Sequence, residues 1–155
     1  MPLNRDFIGR EYPAAETYEV SRELIRRFAE AIGDDNPAYV DVDAAKALGH
    51  PDVIAPPTFL TVLGFRYSDA GPITDPDFGL DYSLVVHGEQ RFVHHRPVRA
   101  GDVLSVSTSV VDIRDAGRNE LFTTKTAVTA GGEPVADLFS AIVSRGTAAR
   151  AGEPA

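Results

Sequence analysis

Hydrophobic positions recur at helical spacing near the start of the chain. Within segment 21–32 the apolar residues stand three or four positions apart: Leu24, Ile25, Phe28, Ala29 and Ile32. This spacing predicts an amphipathic helix, for which Ser21 is a suitable N-cap and Gly33 a suitable C-terminal glycine. A second, short helix is predicted to begin near Asp43 and to end at Leu48.

The segment 58–67 has a different pattern, because it is apolar on nearly every side. Its sequence is TFLTVLGFRY, which favours a helix buried by its surroundings, although its β-branched residues leave a strand as an alternative. Residues 68–81 are rich in Gly, Pro and Asp. They predict a long loop of the kind that often shapes a ligand entrance.

Apolar and polar residues alternate in the second half of the chain, which predicts strands. The predicted strands lie at 84–98, 103–114, 120–129 and 134–145, separated by turn sequences at 100–102, 115–119 and 130–133. Together they form an antiparallel meander. Since only the 58–67 helix is apolar enough to be covered by this sheet, the expected fold class is α+β, with the sheet wrapped around that helix.

Composition narrows the protein class. The 155 residues contain no cysteine and carry a net charge of −8, so thiol chemistry is excluded and binding to nucleic acid or to anionic membranes is disfavoured. The N-terminus is too polar for a signal peptide, and no apolar run could span a bilayer. We therefore expect a soluble, cytoplasmic protein with one domain, frayed at residues 1–6 and 147–155.

The four histidines do not predict a metal site. His87 and His95 are predicted to share one face of a strand, but eight residues of extended chain separate them by about 26 Å, and His94 is predicted to face the other way. No zinc-binding motif accompanies them, so we expect no metal. Structural hydrogen bonding is the expected role of these histidines.

The loop GDDNPAY at residues 33–39 has two interpretations. Asp34 and Asn36 are common turn residues because their side chains bond to the nearby backbone, so the loop can be a simple turn after the helix. It can also carry chemistry. Similarly, Gly101 and Asp102 are predicted to form a structural turn without a chemical role.

A family resemblance favours the chemical interpretation of the loop. Residues 28–63 read FAEAIGDDNPAYVDVDAAKALGHPDVIAPPTFLTVL, and residues 96–104 read RPVRAGDVL. These motifs resemble those of the MaoC-like (R)-specific hydratases and dehydratases, and most closely the actinobacterial subunits with a fatty-acid-synthase-I-like dehydratase domain. The resemblance covers about residues 5–146, which we take as one domain. It implies a hot-dog fold and dimerisation.

Two positions depart from the pattern of active family members. Asp34 matches the catalytic Asp of the motif and Asn36 matches the residue that precedes its proline, but Tyr39 stands where a catalytic His is expected. A phenol, with a pKa of ~10, is a poor base near neutrality. Pro57 stands where a Gly donates its backbone N–H to the thioester oxygen, and proline has none. Thr58 N–H could substitute only in a turn shifted by one residue.

The resemblance therefore implies a subunit of a (3R)-3-hydroxyacyl-thioester dehydratase of fatty-acid elongation, with a homologous partner or a second copy completing the dimer. Its substrates would be thioesters of acyl-carrier protein or coenzyme A, and no cofactor is expected. His87 and Phe92 are expected to line the acyl site. Two alternatives remain: a self-sufficient homodimeric hydratase or dehydratase that uses Asp34, and a non-catalytic acyl-thioester binding protein.

Overall fold

The computed structural model describes residues 2–67 and 71–148 and arranges them around one antiparallel sheet. Among the described residues, three α-helices precede the long strands: α1 (Arg22–Ile32), α2 (Val42–Ala47) and α3 (Thr61–Arg66). The strands are β1 (Glu11–Pro13), β2 (Tyr18–Glu19), β3 (Val85–His94), β4 (Val103–Ala116), β5 (Asn119–Ala130) and β6 (Glu133–Ser144). The four long strands confirm the predicted strands. Only β4, β5 and β6 form the predicted meander, since β3 pairs with β6 and not with β4, and β1 and β2 were not predicted.

The order of strands in the sheet is β1-β4-β5-β6-β3, and β2 also pairs with β4. Strands β4, β5 and β6 follow one another through the predicted turns. Strand β3 crosses over to pair with β6 and forms one edge of the sheet. A row of backbone N–H and C=O groups is therefore available at β3 for another strand.

Helix α1 forms as its sequence predicts. The Ser21 side chain accepts a hydrogen bond from Leu24 N at its start, and Gly33 ends it with a φ of 70°, a left-handed conformation that glycine adopts without strain. Ile25 and Ala29 are buried in the main core. Helix α1 thus covers one side of that core with its apolar stripe.

The central apolar segment is shorter as a helix than predicted. Helix α3 begins at Thr61, whereas residues 57–60 form a turn in which Phe59 N donates to Pro56 O. Thr61 N, Val62 N and Leu63 N each donate to the carbonyl three residues earlier, so the start of the segment has the tighter hydrogen bonds of a 3₁₀ turn rather than those of an α-helix. Phe59, Leu60 and Leu63 are fully buried in the main core with residues of the sheet, but Phe65 is 84% exposed. The sheet therefore covers one side of this helical segment, and the prediction that it is buried on nearly every side was wrong.

A second apolar cluster contradicts the prediction of a frayed N-terminus. Leu3 and Phe7 are buried with Phe78 and Phe122, and Leu3 N donates to the buried Glu120 carboxylate at 2.9 Å. The N-terminal segment packs because Phe78, in the loop before β3, gives it an apolar surface to cover. The predicted C-terminal tail does not begin at residue 147, because Thr147 is buried and Ala148 N donates to Arg118 O. Residues 149–155 of that tail lie outside the described residues.

A β-bulge in β3 changes which residues share a face. The register with β6 shifts between His87 and Glu89, so the residues around the bulge do not alternate simply. His87 lies opposite Ile142, and His94 lies opposite Ala136. Since both of these partners are buried on the inner face, His87 and His94 share that face. The predicted pairing of His87 with His95 was wrong.

Within the described residues, no helix is both long and apolar enough to cross a membrane.

Candidate functional site

The loop after α1 is built by short side-chain bonds to its own backbone. The Asp34 carboxylate accepts from Asn36 N at 3.2 Å, and the Asn36 side chain accepts from Ala38 N at 3.0 Å. Residues Pro37–Tyr39 then form one 3₁₀ turn. The turn chemistry predicted from sequence is therefore present, and it also places Asp34, Asn36 and Tyr39 close together.

Tyr39 is a buried phenol rather than an exposed base. Its side chain belongs to the main core, and the residue is only 6% exposed. Burial raises the pKa of the Tyr39 phenol above its ordinary value of 10.0, the negative charge and side chain of Asp34 raise it further, and an interaction with Asn36 partly offsets the effect. Tyr39 therefore keeps its proton at neutral pH and can donate a hydrogen bond, but it cannot accept a proton.

Tyr39 and Pro57 line the same cavity, of about 350 Å³. The other lining residues come from the turn before α3 and from the segment after β3: Ile54, Ala55, Pro56, His94, His95, Arg96, Pro97 and Val98. A neighbouring hollow of about 310 Å³ is lined in part by Asp34, Asp35 and Asn36. Tyr39 thus lines the first cavity while it interacts with Asp34, which lines the second.

The turn before α3 presents a carbonyl to the first cavity rather than an N–H. His94 Nε2 lies 2.9 Å from Pro57 O. Every peptide bond in the described residues is trans, so Thr58 N–H points away from that carbonyl and from the His94 ring. Thr58 N–H has no acceptor within residues 2–67 and 71–148. The Thr58 N–H, which could replace the missing donor of Pro57 only in a shifted turn, therefore does not point towards His94 or towards the cavity that His94 lines.

The two other predicted site residues lie on the inner face of β3. Phe92 is half-buried, packs against the main core and stacks on His94 with a centroid distance of 6.0 Å. His87 is exposed and lies at the bulge near the far end of the strand. Neither residue lines either of the two cavities around Tyr39 and Asp34.

The segment after β3 is fixed by a buried ion pair. Arg96 donates two hydrogen bonds of 2.8 Å to the Asp102 carboxylate, which also accepts from Arg99 N. Gly101 has a φ of 91°, which suits a glycine in a tight turn. The structural role predicted for Gly101 and Asp102 is confirmed, and their turn fixes the chain that carries His95, Arg96 and Pro97 into the cavity wall.

Sequence reasoning did not identify His94 and Arg96 as residues of the cavity wall. Both residues lie far along the chain from Tyr39 and Pro57. Backbone hydrogen bonds bring the two segments together, from Ala55 N to Val98 O at 2.8 Å and from Ala100 N to Val53 O at 3.0 Å. One signal was present in the sequence: the HHRPVR run follows a strand directly and precedes the turn at Gly101. In the part of the chain that the structure describes, no group of His, Asp or Glu side chains is arranged to hold a metal ion.

Comparison with known proteins gives concordant results. The family model of the FAS1-like dehydratase domain region matches residues 6–138. A UPF0336 protein from Saccharopolyspora erythraea is 53% identical over 149 residues, which are 96% of this chain and 95% of that protein.

Solved structures agree with the family match. A chain of the C-terminally truncated HadBC (3R-hydroxyacyl-ACP dehydratase) complex from Mycobacterium tuberculosis aligns with a TM-score of 0.78 at 30% identity, over 91% of this chain and 99% of that chain. A MaoC-like dehydratase aligns with a TM-score of 0.81 at 29% identity, over 90% of this chain and 42% of that chain. These similarities confirm the resemblance drawn from the sequence and the hot-dog fold that it implies.

Proposed function

Because the chain belongs to the FAS1-like dehydratase family, we propose that it is a subunit of a (3R)-3-hydroxyacyl-thioester dehydratase that shapes the acyl site, while a homologous partner supplies the catalytic Asp and His. Dehydration breaks one C2–H bond and the C3–O bond, and the proton and hydroxyl leave together as water. No electrons are gained or lost, so the reaction needs a base, an acid and donors for the thioester oxygen, but no redox cofactor.

The observation that carries this proposal is the buried phenol of Tyr39 beside Asp34. A base for the C2 proton should have a pKa near the working pH, and the pKa of Tyr39 is instead raised above 10.0. Asp34 remains at the motif position, but its neighbour cannot share the movement of the proton. The residues of this loop are therefore suited to binding and shaping, and the elimination is assigned to the partner.

The turn before α3 supports the same division of roles. Pro57 has no N–H, its carbonyl faces His94, and Thr58 N–H lies on the opposite side of that peptide. A developing enolate oxygen at this turn would therefore lack the backbone donor that the family pattern supplies at position 57. The loss of one such donor costs ~100-fold or more in rate, so a second subunit with an intact donor is required for fast turnover.

The open edge of the sheet provides a surface for that subunit. Strand β3 has a described partner strand on one side only, and its apolar residues Val86 and Val93 are 45% and 36% exposed. Pairing with another strand would satisfy the backbone of β3 and cover these side chains. The chain of the HadBC complex to which this protein is similar comes from a complex of the kind proposed here.

The test compares the chain alone with the chain co-purified with a homologous subunit that carries both Asp and His. We expect hydration of crotonyl and longer enoyl thioesters to be at least ~100-fold slower for the chain alone, which is the cost of one missing donor. Sedimentation of the co-purified sample should show a dimer of the two subunits rather than the 16.7 kDa monomer of this chain.

Each alternative predicts a different result in this experiment. Fast turnover by the chain alone, with mass spectrometry detecting no homologue in the sample, would overturn the proposal in favour of the self-sufficient dimer with Asp34. Acyl-thioester binding without turnover in any combination of subunits would instead indicate a non-catalytic binding protein.

A further inference from the structure

His94 is held by two contacts on different sides of its ring. The imidazole stacks nearly parallel on Phe92, with an interplanar angle of 10°, and its Nε2 lies 2.9 Å from Pro57 O. His94 is the last residue of β3, whereas Pro57 lies in the turn before α3. One side chain thus connects the edge strand of the sheet to the wall of the cavity that contains Tyr39.

The partner of His94 determines which ring nitrogen carries the proton. A proline carbonyl can only accept a hydrogen bond, so Nε2 must be the donor. In the neutral form of His94 the proton is therefore on Nε2, and Nδ1 is unprotonated. This assignment is a direct consequence of the contact and can be measured independently of any activity.

The contact also determines how the turn is presented to the cavity. Pro57 O has no backbone donor among the described residues, since Pro56 O is the acceptor for Phe59 N. Without His94, the peptide between Pro57 and Thr58 would keep no hydrogen bond to the rest of the fold. The turn around this peptide is anchored by the bond from Ala55 N to Val98 O and by the buried Phe59 side chain, so His94 acts on the orientation of the Pro57–Thr58 peptide within that frame.

We propose that His94 is a positioning residue of the acyl-thioester site: by donating to Pro57 O, it holds the turn before α3 in the conformation that the acyl thioester binds. This inference rests on the proposed function, because it assumes that the cavity between Tyr39 and Pro57 takes the thioester. It adds a connection from the edge strand, where a partner would pair, to the substrate wall.

Three variants separate positioning from simple packing. His94→Gln retains an N–H donor that can reach Pro57 O, whereas His94→Leu retains apolar contact with Phe92 and loses the donor. His50→Leu is the matched control, because His50 lies in the loop after α2 and lines neither of the two cavities around Tyr39 and Asp34.

Binding is measured by calorimetry with octanoyl-pantetheine, whose thioester arm is common to coenzyme A and carrier protein. We expect the His94→Leu variant to bind about 5-fold more weakly, which corresponds to the net contribution of one neutral hydrogen bond. His94→Gln and His50→Leu should each stay within about 2-fold of the wild type. If both His94 variants lose affinity in parallel with their thermal stability, the role of His94 is only structural and the inference is overturned.

Nitrogen-15 correlation spectra of the histidine rings give a second readout that needs no ligand. The His94 signals, identified by their loss in His94→Gln, should show a proton on Nε2. A neutral ring with its proton on Nδ1 would overturn the inference even if His94→Leu failed to fold. If the wild type binds the probe and His94→Leu binds it with the same affinity, this inference is overturned but the proposed function is not. Absence of binding by the wild type, alone and in the partnered complex, would overturn the proposed function as well.

Discussion

If the proposed function holds, replacing Tyr39 by His and Pro57 by Gly should give one chain both groups that the proposal assigns to the partner. Tyr39→His puts an imidazole with a reference pKa of ~6.5 beside Asp34, where the structure has a buried phenol. Pro57→Gly creates an N–H on the peptide whose carbonyl, Pro56 O, already accepts a hydrogen bond from Phe59 N. The new N–H would point away from Phe59, free to meet an oxygen.

The expected gain follows from what each group contributes in enzymes. A positioned base is worth ~10²–10⁴ in rate, and one oxyanion donor is worth ~10² or more. Residues that act as one catalytic unit are strongly non-additive, so neither change alone should suffice. We expect the double variant to exceed the product of the two single effects and to gain at least ~100-fold.

The change also has a structural cost, which sets the conditions of the assay. Tyr39 is 6% exposed, and its replacement by the smaller His leaves unfilled space in the core. We expect a loss of about 1–2 kcal/mol in the free energy of unfolding, well below the 3–5 kcal/mol of an aromatic-to-alanine change. All variants should therefore be compared at a temperature where circular dichroism shows them folded.

The assay is hydration of an enoyl thioester, followed by the loss of its conjugated absorbance. Tyr82→His is the matched control, since Tyr82 is 73% exposed and distant in sequence from the loop. Asp34→Asn is added to each variant to test whether any gain passes through Asp34. No gain in either single variant or in the double, with all proteins folded, would refute the argument that Tyr39 and Pro57 silence the site. A gain that survives Asp34→Asn would refute the role of Asp34.

Two further predictions test the buried polar groups. Asp102→Ala leaves the Arg96 guanidinium without its carboxylate. Breaking a buried ion pair costs about 3–5 kcal/mol, and because the Arg96 side chain is 21% exposed we expect the free energy of unfolding, measured in urea, to fall by about 3 kcal/mol. A fall of less than about 1 kcal/mol would contradict this prediction. The alkaline absorbance titration of wild type minus Tyr39→Phe should have a midpoint above pH 10, since the pKa of Tyr39 is raised. The contribution of Tyr39 to the free energy of unfolding is therefore fully present below pH 10 and is lost as the pH rises through the pKa of the folded state. A titration midpoint at or below pH 10 would contradict the argument that burial raises this pKa.

Local patterns in the sequence were sufficient for most of the secondary structure. The apolar spacing in 21–32, with Ser21 and Gly33 at its ends, predicted α1, and the alternation in the second half predicted the four long strands. These signals are reliable because capping and side-chain alternation depend on near neighbours in the chain. The strands β1 and β2 were missed because strands of two or three residues carry too little periodicity.

The motif also allowed the main chemical question to be asked from sequence. Asp34, Asn36, Tyr39 and Pro57 were recognised from their positions in a family pattern, and the poor basicity of a phenol is a property of the residue itself. The predicted loss of a backbone donor likewise followed from proline alone. These conclusions did not require the fold.

Only the tertiary structure decided which of these residues line the same cavity. The bulge at His87 and Glu89 reversed the predicted faces of β3, because one extra residue shifts every later side chain to the other side of a strand. The fold also places His94 against Pro57. Packing also determined that Tyr39 is buried, and hence that its pKa rises. Burial, register and contacts between distant segments depend on the whole fold, so the pattern of residues along the chain could not supply them.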